Sequence, residues 1–258
     1  WMILLARTDP AAHKYAGLSF FLFPMDVPGV TVQPLVKMTG EGGFNQVIFD
    51  AAVAPPNALL GQEGQGWEIA MTTLLFERGA SEGTGRERAT AFLEGLKRVV
   101  DLAKRARAPR GSVEEPPLPD GREEGEIERG DPGERRRDGQ AAEHAVLDDR
   151  LAQLYIEAQA QGLSANRSGV PGLVADRPFA LRFMTKLVAS EWNQRLTELA
   201  CEMLGPDAAY WLGDEHAPDR AEWPRAFLSS FGMTIGGGTS EIQRNILGER
   251  ILNLPKSK

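Results

Sequence analysis

Gly236-Gly237-Gly238-Thr239-Ser240-Glu241-Ile242-Gln243-Arg244-Asn245 is the stretch on which the reading of this chain turns. Three consecutive glycines let the backbone make a close turn. Ser240 with Gln243 three residues later has the spacing of a capping box, which predicts a helix start here. Ile242, Ile246, Leu247, Ile251 and Leu254 give the helix expected over 240–252 one apolar side. A glycine turn that opens a helix can receive a phosphate or another polar ligand group, through unpaired N–H donors and the helix dipole. Taken alone, it also reads as an ordinary turn.

Working back toward the N-terminus, the texture is helical as far as residue 66. Trp67, Ala70, Met71, Leu74 and Leu75 follow the spacing of a buried helical stripe. Further helical windows are Ala89 to Arg107, Ala141 to Ala165 and Ala180 to Leu204. Helices of this number and length make a bundle the natural architecture. Before Gly61-Gln62-Glu63-Gly64-Gln65-Gly66 the reading is β. Met2 to Ala6, Leu18 to Phe23, Val30 to Val36 and Gln46 to Asp50 are short apolar or alternating runs, each closed by Gly, Pro or Asp. Ala52-Val53-Ala54-Pro55 extends the last of them, and the set suggests an antiparallel sheet or open barrel.

The stretch 108–140 has another composition. It holds five Pro, six Gly, ten acidic residues and six Arg, with almost no large apolar side chains. Such a segment buries too little surface to offset its ordering entropy and is expected to be a flexible, solvated excursion. Arg135-Arg136-Arg137 lies among acidic neighbours and reads as part of that solvated stretch.

The chain has 258 residues, 42 % of them hydrophobic, and a net charge of −7. That supports a real core. The acidic balance argues against a nucleic-acid partner, which needs a basic face. A single cysteine, Cys201, forms no internal disulfide. No apolar window is long enough to span a bilayer, so no membrane span is expected, and the location expected is cytoplasmic. The chain opens with Trp1-Met2 inside an apolar run, as a piece of something longer would.

Among side chains that could carry chemistry, Glu77 in Leu74-Leu75-Phe76-Glu77-Arg78-Gly79 lies near the apolar stripe of its helix. A carboxylate against an apolar wall has its pKa raised, which suits a general base; the alternative is a glutamate at the solvated edge. His13, His144 and His216 are scattered, and none has a partner at metal-ligand spacing. Ser19 and Ser229-Ser230 lack a nucleophile-elbow pattern, and no Walker or dinucleotide fingerprint occurs. Zinc-enzyme, serine-hydrolase and nucleotidase readings lose their support.

Three segments together resemble the acyl-CoA dehydrogenase flavoprotein family. They are Gly238 to Asn245 with Glu249-Arg250-Ile251-Leu252 and Pro255, then Phe44 to Asp50 with Val53-Ala54-Pro55-Pro56-Asn57 and Leu60-Gly61, and finally Gly66-Trp67 through Phe76-Glu77-Arg78-Gly79. The resemblance covers nearly all of the chain outside 108–140. It implies an α+β fold: the later part of a middle β-domain over 1–61, a partial antiparallel barrel or sheet, then a C-terminal four-helix up-and-down bundle over 62–258. It implies FAD as cofactor and an acyl-CoA thioester as substrate, with a carboxylate taking the α-proton while the β-carbon passes a hydride to flavin N5. Many members carry that glutamate just before the Gly-Thr-Ser turn, where this chain has Gly237. A minority branch places it on the first bundle helix before an arginine, and Glu77-Arg78 matches that branch. Glu77 is then the implied base and Arg78 supports the acyl-CoA end of the pocket. Gly238, Thr239 and Glu241 match positions that shape or touch the flavin nucleotide. A homodimer or homotetramer is implied, with an electron-transfer flavoprotein as acceptor.

Two motifs depart from the family pattern. The Arg-x-x-Phe-Gly segment has no match, and Glu202-Met203-Leu204-Gly205-Pro206-Asp207-Ala208 stands where a Gln-x-x-Gly-Gly-x-Gly would be. Both serve FAD contacts across subunits in the family. A non-catalytic partner subunit of a heteromeric dehydrogenase is therefore the competing expectation, and an acyl-CoA oxidase, with oxygen as acceptor, is a third.

Overall fold

A computed structural model describes residues 1–80, 85–107, 132–168, 170–174 and 180–256, with side chains for 1–74, 90–105, 144–167, 170, 172–173 and 184–256. The chain separates into two compact units, Trp1–Glu82 and Gly83–Lys258.

In the first unit the strands are β1 (Met2–Arg7), β2 (Leu18–Phe23), β3 (Val30–Leu35), β4 (Phe44–Phe49) and β5 (Leu59–Leu60). β1 and β2 pair antiparallel from Met2 opposite Phe23 to Arg7 opposite Leu18, and β5 adds to the other edge of β2 through Phe20–Leu60 and Phe21–Leu59. β3 and β4 form a separate antiparallel hairpin, Val30 opposite Phe49 and Leu35 opposite Phe44. The expected antiparallel character holds, as two small sheets. Residues 52–55 are not a strand. Ala51 turns the chain at φ 51°, and Pro55 and Pro56 have no N–H to give to a ladder, so pairing resumes only at Leu59.

Helix α1 (Gly66–Ala80) is seated on this sheet. At Gly66 a Cβ would lie 2.6 Å from the Ser19 carbonyl carbon and 2.7 Å from Leu18 O, so only glycine lets the helix start this close to β2. Ser19, fully buried, ties the junction: its hydroxyl meets Thr8 Oγ1 at 2.7 Å and accepts the Gly64 N–H at 3.0 Å.

The second unit is a four-helix up-and-down bundle of α2 (Gly85–Arg107), α3 (Pro132–Ser168), α5 (Ala180–Leu204) and α6 (Glu222–Ile235), with α4 (Pro171–Val174) a single turn before α5. Arg195 pairs with Glu157 at 2.5 Å, and Arg150 with Glu202, so α3 and α5 run antiparallel. The core is Leu96, Val99 and Leu102 from α2, Leu154 and Ala158 from α3, Trp192, Leu196, Leu199 and Ala200 from α5, and Trp223 from α6. Full burial of each large side chain here contributes about 1.5–3 kcal/mol relative to exposure. The Trp192 indole N–H is satisfied by Leu154 O at 2.9 Å, and its ring meets Phe92 edge-on at 4.8 Å.

Three features differ from expectation. Residues 132–140 belong to α3: Pro132 occupies the first helical position, which needs no N–H, and Glu134 to Arg137 are good helix formers. The rest of the expected excursion, 108–131, lies outside the described residues. Helix α6 has no counterpart in the windows read from the sequence: Pro224, Ser229-Ser230 and Gly232 are weak helix formers and hide a helix whose apolar face is intact. Pro224 sits in the first turn, where a missing N–H is harmless, and the buried Ser230 hydroxyl is satisfied by Phe227 O at 2.6 Å. The last helix is short: α7 spans Ser240–Ile246 and passes into a π turn, Leu247–Ile251. Among the described residues no helix is long and apolar enough to cross a membrane.

Candidate functional site

Helix α6 ends at Ile235, and the glycine turn carries the chain into α7. Gly237 and Gly238 have φ of 68° and 103°, conformations that L side chains rarely adopt. A Cβ on Gly238 would also press Gln243 Nε2 at 3.0 Å. The turn is closed by Gly236 N–H to Gly232 O at 2.8 Å and Gly238 N–H to Ile235 O at 3.2 Å.

Thr239, not Ser240, caps the helix. Its hydroxyl oxygen accepts the Ile242 N–H at 3.3 Å, while Ser240 is already helical. Gln243 does not return to the cap as a capping box requires. Its side chain is buried and its Nε2 donates to Gly237 O at 2.7 Å, bracing the turn instead. Its Oε1 is buried and has no donor.

The structure brings Gly238, Thr239 and Glu241 together in this turn. Glu241 points to solvent, and its carboxyl is held below the usual carboxylate range by its own backbone N–H, then by the Thr239 hydroxyl and by the charge of Arg244. Position 237, a glycine, offers no proton acceptor. Lys186 from α5 reaches the same turn, its ammonium donating to Gly238 O at 2.6 Å and Thr234 O at 3.3 Å. Arg244 pairs with Glu191 of α5 at 2.5 Å. Sequence reading missed Lys186 and misassigned Gln243. The available signal was a lysine between Met184-Thr185 and Leu187-Val188, in the apolar texture of α5.

Glu77 and Arg78 belong to the other unit. Both lie on α1, near its C-terminal end, and their side chains are outside the described residues. Among the described residues no cluster of three or more His, Cys, Asp or Glu that could hold a metal ion occurs.

With this geometry in hand, the chain can be set beside known proteins. Residues 133–252 match the family model for the acyl-CoA dehydrogenase C-terminal domain. The acyl-CoA dehydrogenase IpdE1 of Mycobacterium tuberculosis is 32 % identical over 260 residues, which take in 99 % of this chain and 56 % of that protein. Its counterpart in Mycolicibacterium smegmatis is also 32 % identical, with 99 % and 54 % covered. The chain thus spans about half the length of these curated relatives. Among solved structures, the ChsE4-ChsE5 complex from Mycobacterium tuberculosis superposes with a TM-score of 0.65 at 20 % identity, over 99 % of this chain and 57 % of that one. The glutaryl-coenzyme A dehydrogenase complex with glutaryl-CoA gives 0.58 at 20 % identity, over 98 % and 55 %.

Superposition on these structures shows that antiparallel strands followed by an up-and-down bundle form the acyl-CoA dehydrogenase fold here. With the match of the C-terminal domain and of relatives 32 % identical over 99 % of this chain, the chain belongs to the acyl-CoA dehydrogenase family.

Proposed function

We propose that this chain is the later portion of an FAD-dependent dehydrogenase that introduces a double bond between Cα and Cβ of an acyl-CoA thioester, with Glu77 as base. The observation that carries this reading is the glycine turn itself. Its backbone is exposed at Gly236 and Gly237, and position 237, where many members of the family carry the base, is a glycine. Glu77-Arg78 on α1 is the pair whose sequence matches a family branch that carries its base there.

The residues present fit a bound flavin nucleotide. Gly236 and Gly237 are exposed and leave the backbone bare, and the buried Gln243 Oε1 is an acceptor that lacks a donor. Gly238, Thr239 and Glu241 would hold the nucleotide at this turn. When bound, FAD supplies the two-electron acceptor for the hydride that leaves Cβ. Glu77 takes the α-proton as that hydride departs and later releases it to solvent. Arg78 supports the acyl-CoA end of the pocket. An electron-transfer flavoprotein is the acceptor that reoxidises the enzyme, which works in the cytoplasm as a homo-oligomer.

The absence of a base at position 237 also favours a second reading, a non-catalytic partner subunit. A two-protein complex stands among the matched structures. Counting FAD in the purified full-length protein separates the two. One FAD per copy of this chain without a partner, bleached on addition of an acyl-CoA thioester, is the expected result. Flavin that appears only when a second dehydrogenase chain co-purifies would overturn it in favour of the partner subunit.

A further inference from the structure

Two side chains grip the glycine turn through its carbonyls, from two different directions along the chain. Gln243 Nε2 holds Gly237 O at 2.7 Å from within α7, and Lys186 Nζ holds Gly238 O at 2.6 Å from α5. Lys186 does a second thing. Thr234 lies in the last turn of α6, where carbonyls have no helical N–H to meet, and the ammonium donates to its oxygen at 3.3 Å. One cation thus closes the end of α6 and fixes the peptide that leads into α7.

The geometry of a trans peptide gives this contact a consequence. Carbonyl and following N–H point in opposite directions, so drawing Gly238 O onto Lys186 turns the Thr239 N–H away from it. The orientation of the backbone at Gly238 and Thr239 is therefore set by the lysine. Glycine by itself would leave it loose, because φ of 68° and 103° are two among many conformations open to Gly237 and Gly238.

Lys186 is half-buried, and this lowers its ammonium pKa, while the charge of Glu191 acts in the opposite sense. Glu191 is itself engaged by Arg244 at 2.5 Å. A half-buried lysine aimed at two main-chain oxygens is placed for position more than for surface charge.

We propose that Lys186 is a positioning residue that holds the Gly236–Gly238 turn in the conformation that accepts FAD. The inference rests on the flavin reading above and goes beyond it by naming what preorganises the turn. A hydrogen bond to a charged donor is strong enough for its removal to shift a local equilibrium by roughly tenfold.

The test compares wild type with Lys186→Met, which keeps an unbranched apolar stem and loses every donor, and Lys186→Arg, which keeps donors. Hydrogen exchange is followed at the amides of 236–242 and, as a control, around Trp192 and Leu199, and the apoprotein is titrated with FAD. In Lys186→Met the turn amides should exchange roughly tenfold faster and FAD should bind roughly tenfold more weakly, with core protection unchanged; Lys186→Arg should recover much of both. If Lys186→Met does not fold, Lys186→Leu, which also lacks a donor, is read in the same way. Unchanged turn exchange, or faster exchange with unchanged FAD affinity, overturns the proposal while the flavin reading stands. Wild-type protein that takes up no FAD at all sinks the flavin reading and this proposal with it.

Discussion

At Glu241 a backbone N–H, a hydroxyl and a nearby guanidinium all favour one charged carboxylate, whereas at Cys201 the surroundings act the other way. Cys201 is half-buried on α5, and burial, followed by the charges of Glu202 and Glu198, pushes its thiol up to about 11. The thiolate is the reactive form, so alkylation of Cys201 at pH 7.5 should run about a hundredfold slower than that of free cysteine. Mass spectrometry after timed iodoacetamide treatment reads this directly, and a rate equal to that of free cysteine would contradict it. Cys201 packs, partly buried, against the core of the bundle. The sequence does not show Lys186, because a lysine on a helix reads as solvated until its tertiary partners, here Thr234 O and Gly238 O, are known. Gln243 misled for a related reason. Its spacing from Ser240 fits a capping box, but the turn before it offered a better acceptor in Gly237 O.

At the level of elements, α7 is the most instructive. A helix of seven residues has little stability of its own, so its cap and its contacts to α5 decide whether it forms. Thr239→Ala removes the acceptor for the Ile242 N–H and should destabilise the protein by about 1 kcal/mol in urea unfolding, whereas Ser240→Ala, which touches no cap, should have a smaller effect. The reverse order would restore the capping box at Ser240. Strands β1 to β4 were legible from short apolar runs closed by turn residues, and α1, α2, α5 and most of α3 from long stretches of apolar residues and good helix formers without Pro. Helix α6 was not. Its start follows three left-handed residues, Asp219, Arg220 and Ala221, with φ of 48°, 57° and 55°, which no local pattern announces. Arg105 grips Asp219 with two N–H donors, at 2.8 and 3.2 Å, and Arg98 pairs with Glu222. These partners are tertiary, so a reading by local period passes over them.

For the molecule as a whole, patterning shows strands followed by helices and the class of fold, and the motifs at its end lead to the family. Of the candidate site, the turn residues are legible, while Glu77 as base rests on the resemblance of Glu77-Arg78 on α1 to a branch of the family. The most direct test is the rate at which an acyl-CoA thioester reduces the bound flavin in the Glu77→Gln variant of the full-length protein. The account predicts a fall of about a thousandfold or more, the scale of a lost general base, with FAD still bound at one per chain. Reduction at the wild-type rate would contradict it.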